Sequence, residues 1–166
     1  MRFLPALLPA LLLALSALSL TSVLRAADLT LVRVWPEYRT AASFERISEF
    51  FNGVENTGGQ TFLRSQPAER AGFYFLVRTR AAAALTGARV ELEVLLPGVE
   101  KPKTFTFPAD VPAGSHVLLA GVTGKDWPGE KTAPTAWHLA VLAADGAVLA
   151  SQQSFLWTNP VVPAKK

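Results

Sequence analysis

Beyond residue 26, hydrophobic and polar positions mostly alternate with a period of two. This spacing turns one side of an extended strand toward a core and the other toward water. The clearest case is Arg89-Val90-Glu91-Leu92-Glu93-Val94, where three aliphatic residues point one way and three charged residues the other. Lys103-Thr104-Phe105-Thr106-Phe107 alternates again after a turn marked by Pro97-Gly98 and Lys101-Pro102. Leu29-Thr30-Leu31-Val32-Arg33-Val34-Trp35 is short and β-branched, and Pro36 is expected to end it as a first strand. Residues 61–64 predict a short strand. Residues 73–78 are nearly continuously apolar, which predicts a central strand with Phe73, Phe75 and Val77 facing the core. Residues 116–122 are apolar on both faces, and residues 137–141 predict a strand with Trp137, Leu139 and Val141 inward. Asp145-Gly146, between apolar runs, signals a tight hairpin. The last strand, 148–157, is interrupted by Ser151-Gln152-Gln153-Ser154, where a bulge would re-aim Phe155 and Trp157.

Only one segment of the body has helical spacing. Phe44, Ile47, Phe50 and Phe51 fit a helix of about three turns packed over one edge, with Thr40 or Ser43 as N-cap and Gly53 as stop. Seven or eight short strands with frequent turns and a single helix predict an all-β fold, an antiparallel β-sandwich. A parallel α/β fold would need a helix between successive strands. The hairpin from Trp137 to Trp157 resembles the last two strands of immunoglobulin-like or fibronectin-type modules. That resemblance is architectural and implies no functional residue, and the paired cysteines of true immunoglobulin domains are missing.

Composition changes this picture at the N-terminus. Residues 3–24 form 22 consecutive positions without a charge, between Arg2 and Arg25. A basic start, a Leu/Ala-rich run and Ala26-Ala27 predict a signal peptide over residues 1–26, so the expected location is periplasmic or extracellular. An uncleaved anchor is the alternative and the only membrane contact foreseen. The expected domain is 27–158, followed by a flexible tail at 159–166. Without residues 1–26 the net charge falls from +3 to +1, because Arg2 and Arg25 are lost. A near-neutral body offers no basic patch for nucleic acid. With no cysteine, the fold must be held by its core rather than by disulfides.

The chemistry is sparse. His116 and His138 are the only imidazoles, each alone in its strand, and no metal or cofactor is expected. Asp126 and Glu130 share a loop without calcium-loop spacing. Serine-hydrolase motifs are missing, and the adjacent Ser115 and His116 should face opposite sides of a strand. Glu91 and Glu93 read as a solvated strand face rather than paired catalytic carboxylates. No catalytic residue is therefore expected.

Aromatic residues carry the remaining signal. Trp137 and Trp157 are expected in the core. Trp35, before Pro36-Glu37-Tyr38, suits either a plug for the sandwich or a binding rim. Trp127 lies in the charged loop Lys125-Asp126-Trp127-Pro128-Gly129-Glu130, where it either offers an exposed stacking face or folds back as a lid. The candidate surface comprises Trp127, Asp126, Lys125, Glu130, Trp35 and Tyr38; Tyr74, Leu76 and Arg78 either form a second or contact the Phe44–Phe51 helix. The leading expectation is an exported, non-catalytic module that binds a protein. The alternative is polysaccharide binding through Trp127 and Trp35.

Overall fold

A computed structural model describes residues 28–157. The expected signal segment and tail lie outside these residues. Eight strands follow in chain order: β1 Leu29–Arg39, β2 Thr61–Arg64, β3 Gly72–Ala81, β4 Arg89–Leu95, β5 Lys103–Pro108, β6 Gly114–Thr123, β7 Ala136–Leu142 and β8 Val148–Gln153. They form two four-stranded sheets, ordered β1-β3-β6-β2 and β5-β4-β7-β8. Neighbours are antiparallel except β2, which runs parallel to β6.

The alternation of each strand decides what fills the space between the sheets. Phe73, Phe75 and Val77 of β3 and Leu118, Ala120 and Val122 of β6 meet Val90, Leu92 and Val94 of β4 and Leu139 and Val141 of β7. Phe75 and Trp137 meet edge to face at 5.4 Å. Each fully buried Val, Leu or Phe contributes about 1.5–3 kcal/mol of transfer free energy, so this interior needs no covalent staple.

Three local expectations are corrected. Pro36 does not end β1, which continues to Arg39. β1 is an edge strand paired only with β3, so a residue without an N–H is tolerated there. The three-turn helix becomes a 3₁₀ turn, Ala41–Phe44, followed by a short helix α1, Ile47–Asn52. Of its periodic residues only Phe44 is buried, while Ile47, Phe50 and Phe51 are 80–87% exposed. One anchoring ring holds the connection, and helical spacing alone could not show how narrow the buried face would be. Finally, β8 stops at Gln153, and residues 154–157 turn away rather than extending it. Trp157 therefore leaves the core and stacks on the His138 ring at 5.7 Å.

Candidate functional site

The outer face of the β1-β3-β6-β2 sheet divides into a covered half and an open half. Residues 40–60 leave β1 at one edge and join β2 at the other, crossing the outer face on the way. Phe44 descends from this crossover onto Tyr74 and Leu119, with Phe62 and Val117 around them. Its ring lies 4.9 Å from Tyr74 and 5.4 Å from Phe62. Tyr74 fits because its β6 neighbour is Gly121, where a Cβ would run into the tyrosine ring.

Hydrogen bonds lock this half. The Tyr74 hydroxyl donates to the Arg70 carbonyl at 2.7 Å and accepts from Arg64 Nε at 3.0 Å. Arg64 grips Glu55 with both terminal nitrogens, and Arg70 donates to Glu49 at 2.8 Å. The Arg64 hydrogen bonds hold the Glu55 carboxyl below its ordinary value, and the Arg70 bond does the same for Glu49. Burial pushes the Tyr74 hydroxyl up, against the pull of the Arg64 charge.

The open half is made by a bulge. β1 pairs Leu31 with Thr79 but Arg33 with Arg78, leaving Val32 as an extra residue. Without it, the parity of Leu29 and Leu31 would carry Arg33 and Trp35 into the core. With it, Val34 is buried while Arg33 and Trp35 face out. Trp35 is 47% exposed and carries the Arg33 guanidinium over its ring at 4.0 Å. Leu76 lies opposite Trp35, Arg78 opposite Arg33, and Arg80 opposite Thr30. Beside them a groove of about 450 Å³ runs past Val32, Arg78, Arg80, Ser115, His116 and Gln60.

The candidate residues are dispersed by the fold. Trp127 takes the lid position: it is 6% exposed, stacks on Phe73 at 4.6 Å, and donates from Nε1 to the Gly129 carbonyl at 3.0 Å. Of the two alternatives for Trp127 the structure takes the lid: the loop ring closes one end of the apolar interior, and Trp127 leaves the candidate surface. Asp126 accepts from Gln66 at 2.9 Å, which lowers its pKa, and Lys103 approaches at 3.3 Å. Lys125 and Glu130 are exposed. Tyr38 is half-buried against the main core rather than on a rim, since the bulge gives it inward parity with Val34. Only Trp35 of the first candidate group lies on the open face. Leu76 and Arg78 of the second join it, while Tyr74 is sealed under the crossover.

Sequence reasoning passed over Arg33 and Arg80. The available signal was the break in alternation at Leu31-Val32, which marks the bulge. It also treated His138 as having no carboxylate partner, but strand pairing brings Glu93 to 3.0 Å from its Nδ1. His116 Nε2 lies 2.9 Å from the Thr61 hydroxyl. Among the described residues no group of three or more His, Asp or Glu side chains converges on a metal position.

Sheet order and interior define the class of this chain as an immunoglobulin-like β-sandwich. β1, β3 and β6 oppose β4, β7 and β8 as strands A, B and E oppose C, F and G in that architecture. β2 departs from the scheme: it occupies the D position, but precedes strand B in the chain and runs parallel to its neighbour. Among solved structures, the chain is similar to an immunoglobulin-like protein from Pseudomonas aeruginosa at 18% identity, covering 78% of this chain and 96% of that one with a TM-score of 0.34. No family model and no curated protein matches the chain.

Proposed function

We propose that this chain is a non-catalytic binding module that works outside the cytoplasm and docks a protein partner on the open half of its outer sheet face. The observation that carries this reading is Trp35, half exposed on a rigid strand with Arg33 stacked on it and Leu76 beside it. Tryptophan and arginine are the side chains most enriched among those that dominate protein interfaces. A strand holds them in place, so little conformational entropy is lost on docking. The charge-free segment at residues 3–24 supports export.

The test is crosslinking of the exported protein in envelope extracts, comparing wild type with Trp35→Ala. A discrete crosslinked product that Trp35→Ala reduces supports the reading. No product with wild type, or the same product with the variant, overturns it. Polysaccharide binding now rests on Trp35 alone, with Trp127 buried. Quenching of tryptophan fluorescence by a glycan, abolished in Trp35→Ala, would favour that alternative.

A further inference from the structure

We infer that the segment docked on this face is an extended acidic peptide of the partner protein, with carboxylates on alternate residues paired to Arg78 and Arg80. The inference rests on the reading of this face as a protein-docking surface and adds the partner's chemistry.

The open half of the sheet face carries uncompensated positive charge. Arg78 and Arg80 are exposed on the same side of β3, two residues apart. Arg33 stands directly opposite Arg78 on β1. Like charges facing each other across a strand pair repel, so folding alone does not favour this arrangement. Among the described residues none of these three arginines forms an ion pair, whereas Arg39, Arg64 and Arg70 on the same face each hold a carboxylate. The groove past Arg78 and Arg80 has no acidic residue in its lining and includes Gln60 and Ser115, while Glu37, in the adjoining hollow with Arg33, Trp35, Leu76 and Arg78, is paired to Arg39.

Geometry then selects an extended chain. Strand rise places Arg78 and Arg80 about 7 Å apart along β3, the spacing of side chains at alternate positions of another extended peptide. Guanidinium groups bind carboxylates through paired hydrogen bonds, so a row of them reads a row of carboxylates. Trp35 and Leu76 continue the row with an apolar step for a flanking aliphatic or aromatic side chain of the same peptide.

The test titrates the purified protein with a fluorescein-labelled peptide alternating threonine and glutamate, and with its glutamine analogue. The glutamate peptide should bind, the analogue should not, and added salt should weaken the complex. Arg78→Gln with Arg80→Gln should lower affinity about tenfold or more, while Arg78→Lys with Arg80→Lys should retain part of it. Both positions are exposed, and unchanged thermal melts will show that the variants fold.

Equal binding of both peptides overturns the inference. So does tighter binding of a sulfated glycan or of phosphatidylglycerol vesicles. Self-association abolished by Glu91→Gln with Glu93→Gln also overturns it, because the acidic strand would then come from a second copy. If the glutamate peptide fails but the Trp35-dependent crosslink persists, the acidic-peptide inference falls while the docking reading stands. If the glutamate peptide binds but wild type gives no crosslink, or one that Trp35→Ala leaves unchanged, the docking reading falls.

Discussion

The two halves of one sheet face differ more than the two faces of the sandwich. Along β3 the outward side chains run Tyr74, Leu76, Arg78 and Arg80, and the exposure changes from none at Tyr74 to open at Arg78 and Arg80. Strand alternation is the same throughout. What differs is the crossover at residues 40–60, which lays Phe44 on Tyr74 but only borders the groove beside the arginines through Gly58, Gly59 and Gln60. In the covered half Arg39, Arg64 and Arg70 each hold a carboxylate, and Phe44, Tyr74 and Leu119 are buried together. In the open half the charges face water, and Trp35 is stacked only by Arg33. Stabilising chemistry and presented chemistry thus occupy neighbouring positions on one strand.

The largest expected break in this comparison is Phe44→Ala. Removing the one buried ring of the crossover should cost about 3–5 kcal/mol in denaturant unfolding, the usual range for a buried phenylalanine. Arg78→Ala with Arg80→Ala should leave the midpoint within about 0.5 kcal/mol, as surface substitutions do. A comparable loss from both would mean that the two halves are not energetically distinct.

Next comes Gly121→Ala, which must displace the Tyr74 ring. Overpacking of this kind costs about 1–3 kcal/mol, and the same melts should show partial relief when Gly121→Ala is combined with Tyr74→Leu. A third effect is pH dependence from the paired carboxylates of the covered half. The Glu55 carboxyl is depressed below 4.5 in the folded protein. Its stabilising contribution is therefore complete above about that pH and is lost as pH falls through the lowered folded value. Thermal melts from neutral pH down to pH ~3 should lose stability in wild type, and Glu55→Gln should flatten part of that slope. A wild-type slope unchanged by the variant would remove the Arg64–Glu55 pair from the account.

The smallest effects sharpen the boundary. Phe50→Ser and Phe51→Ser should change stability by no more than about 0.5 kcal/mol despite removing large rings, because those rings are already in water. Arg33→Gln should change stability by no more than about 0.5 kcal/mol, since relief of the like-charge contact with Arg78 offsets the lost stacking on Trp35.

Much of the architecture was legible before any coordinates. Val90, Leu92 and Val94 declared their inward face, and Asp145-Gly146 declared the β7–β8 turn, where Gly146 takes a positive φ of 91°. The helical spacing of Phe44, Ile47, Phe50 and Phe51 was legible too, but spacing records which residues share a face and not whether anything lies against it. Trp127 shows the same limit: its charged loop leaves an exposed face and a lid both open, and contact with Phe73 decides for the lid.

Local sequence determined the strands, their turns and the alternation that makes a two-layer interior, because these follow from backbone geometry within a few residues. Tertiary structure alone decided that Trp35 faces outward while Trp127 is sealed, that Phe44 rather than Phe50 anchors the crossover, and that Arg33 faces Arg78. Those outcomes depend on a one-residue bulge and on which segment reaches the sheet face first. Both are set by contacts between residues far apart in the chain: the adjacent apolar pair Leu31-Val32 marks where a bulge can sit, but not which strand it pairs with.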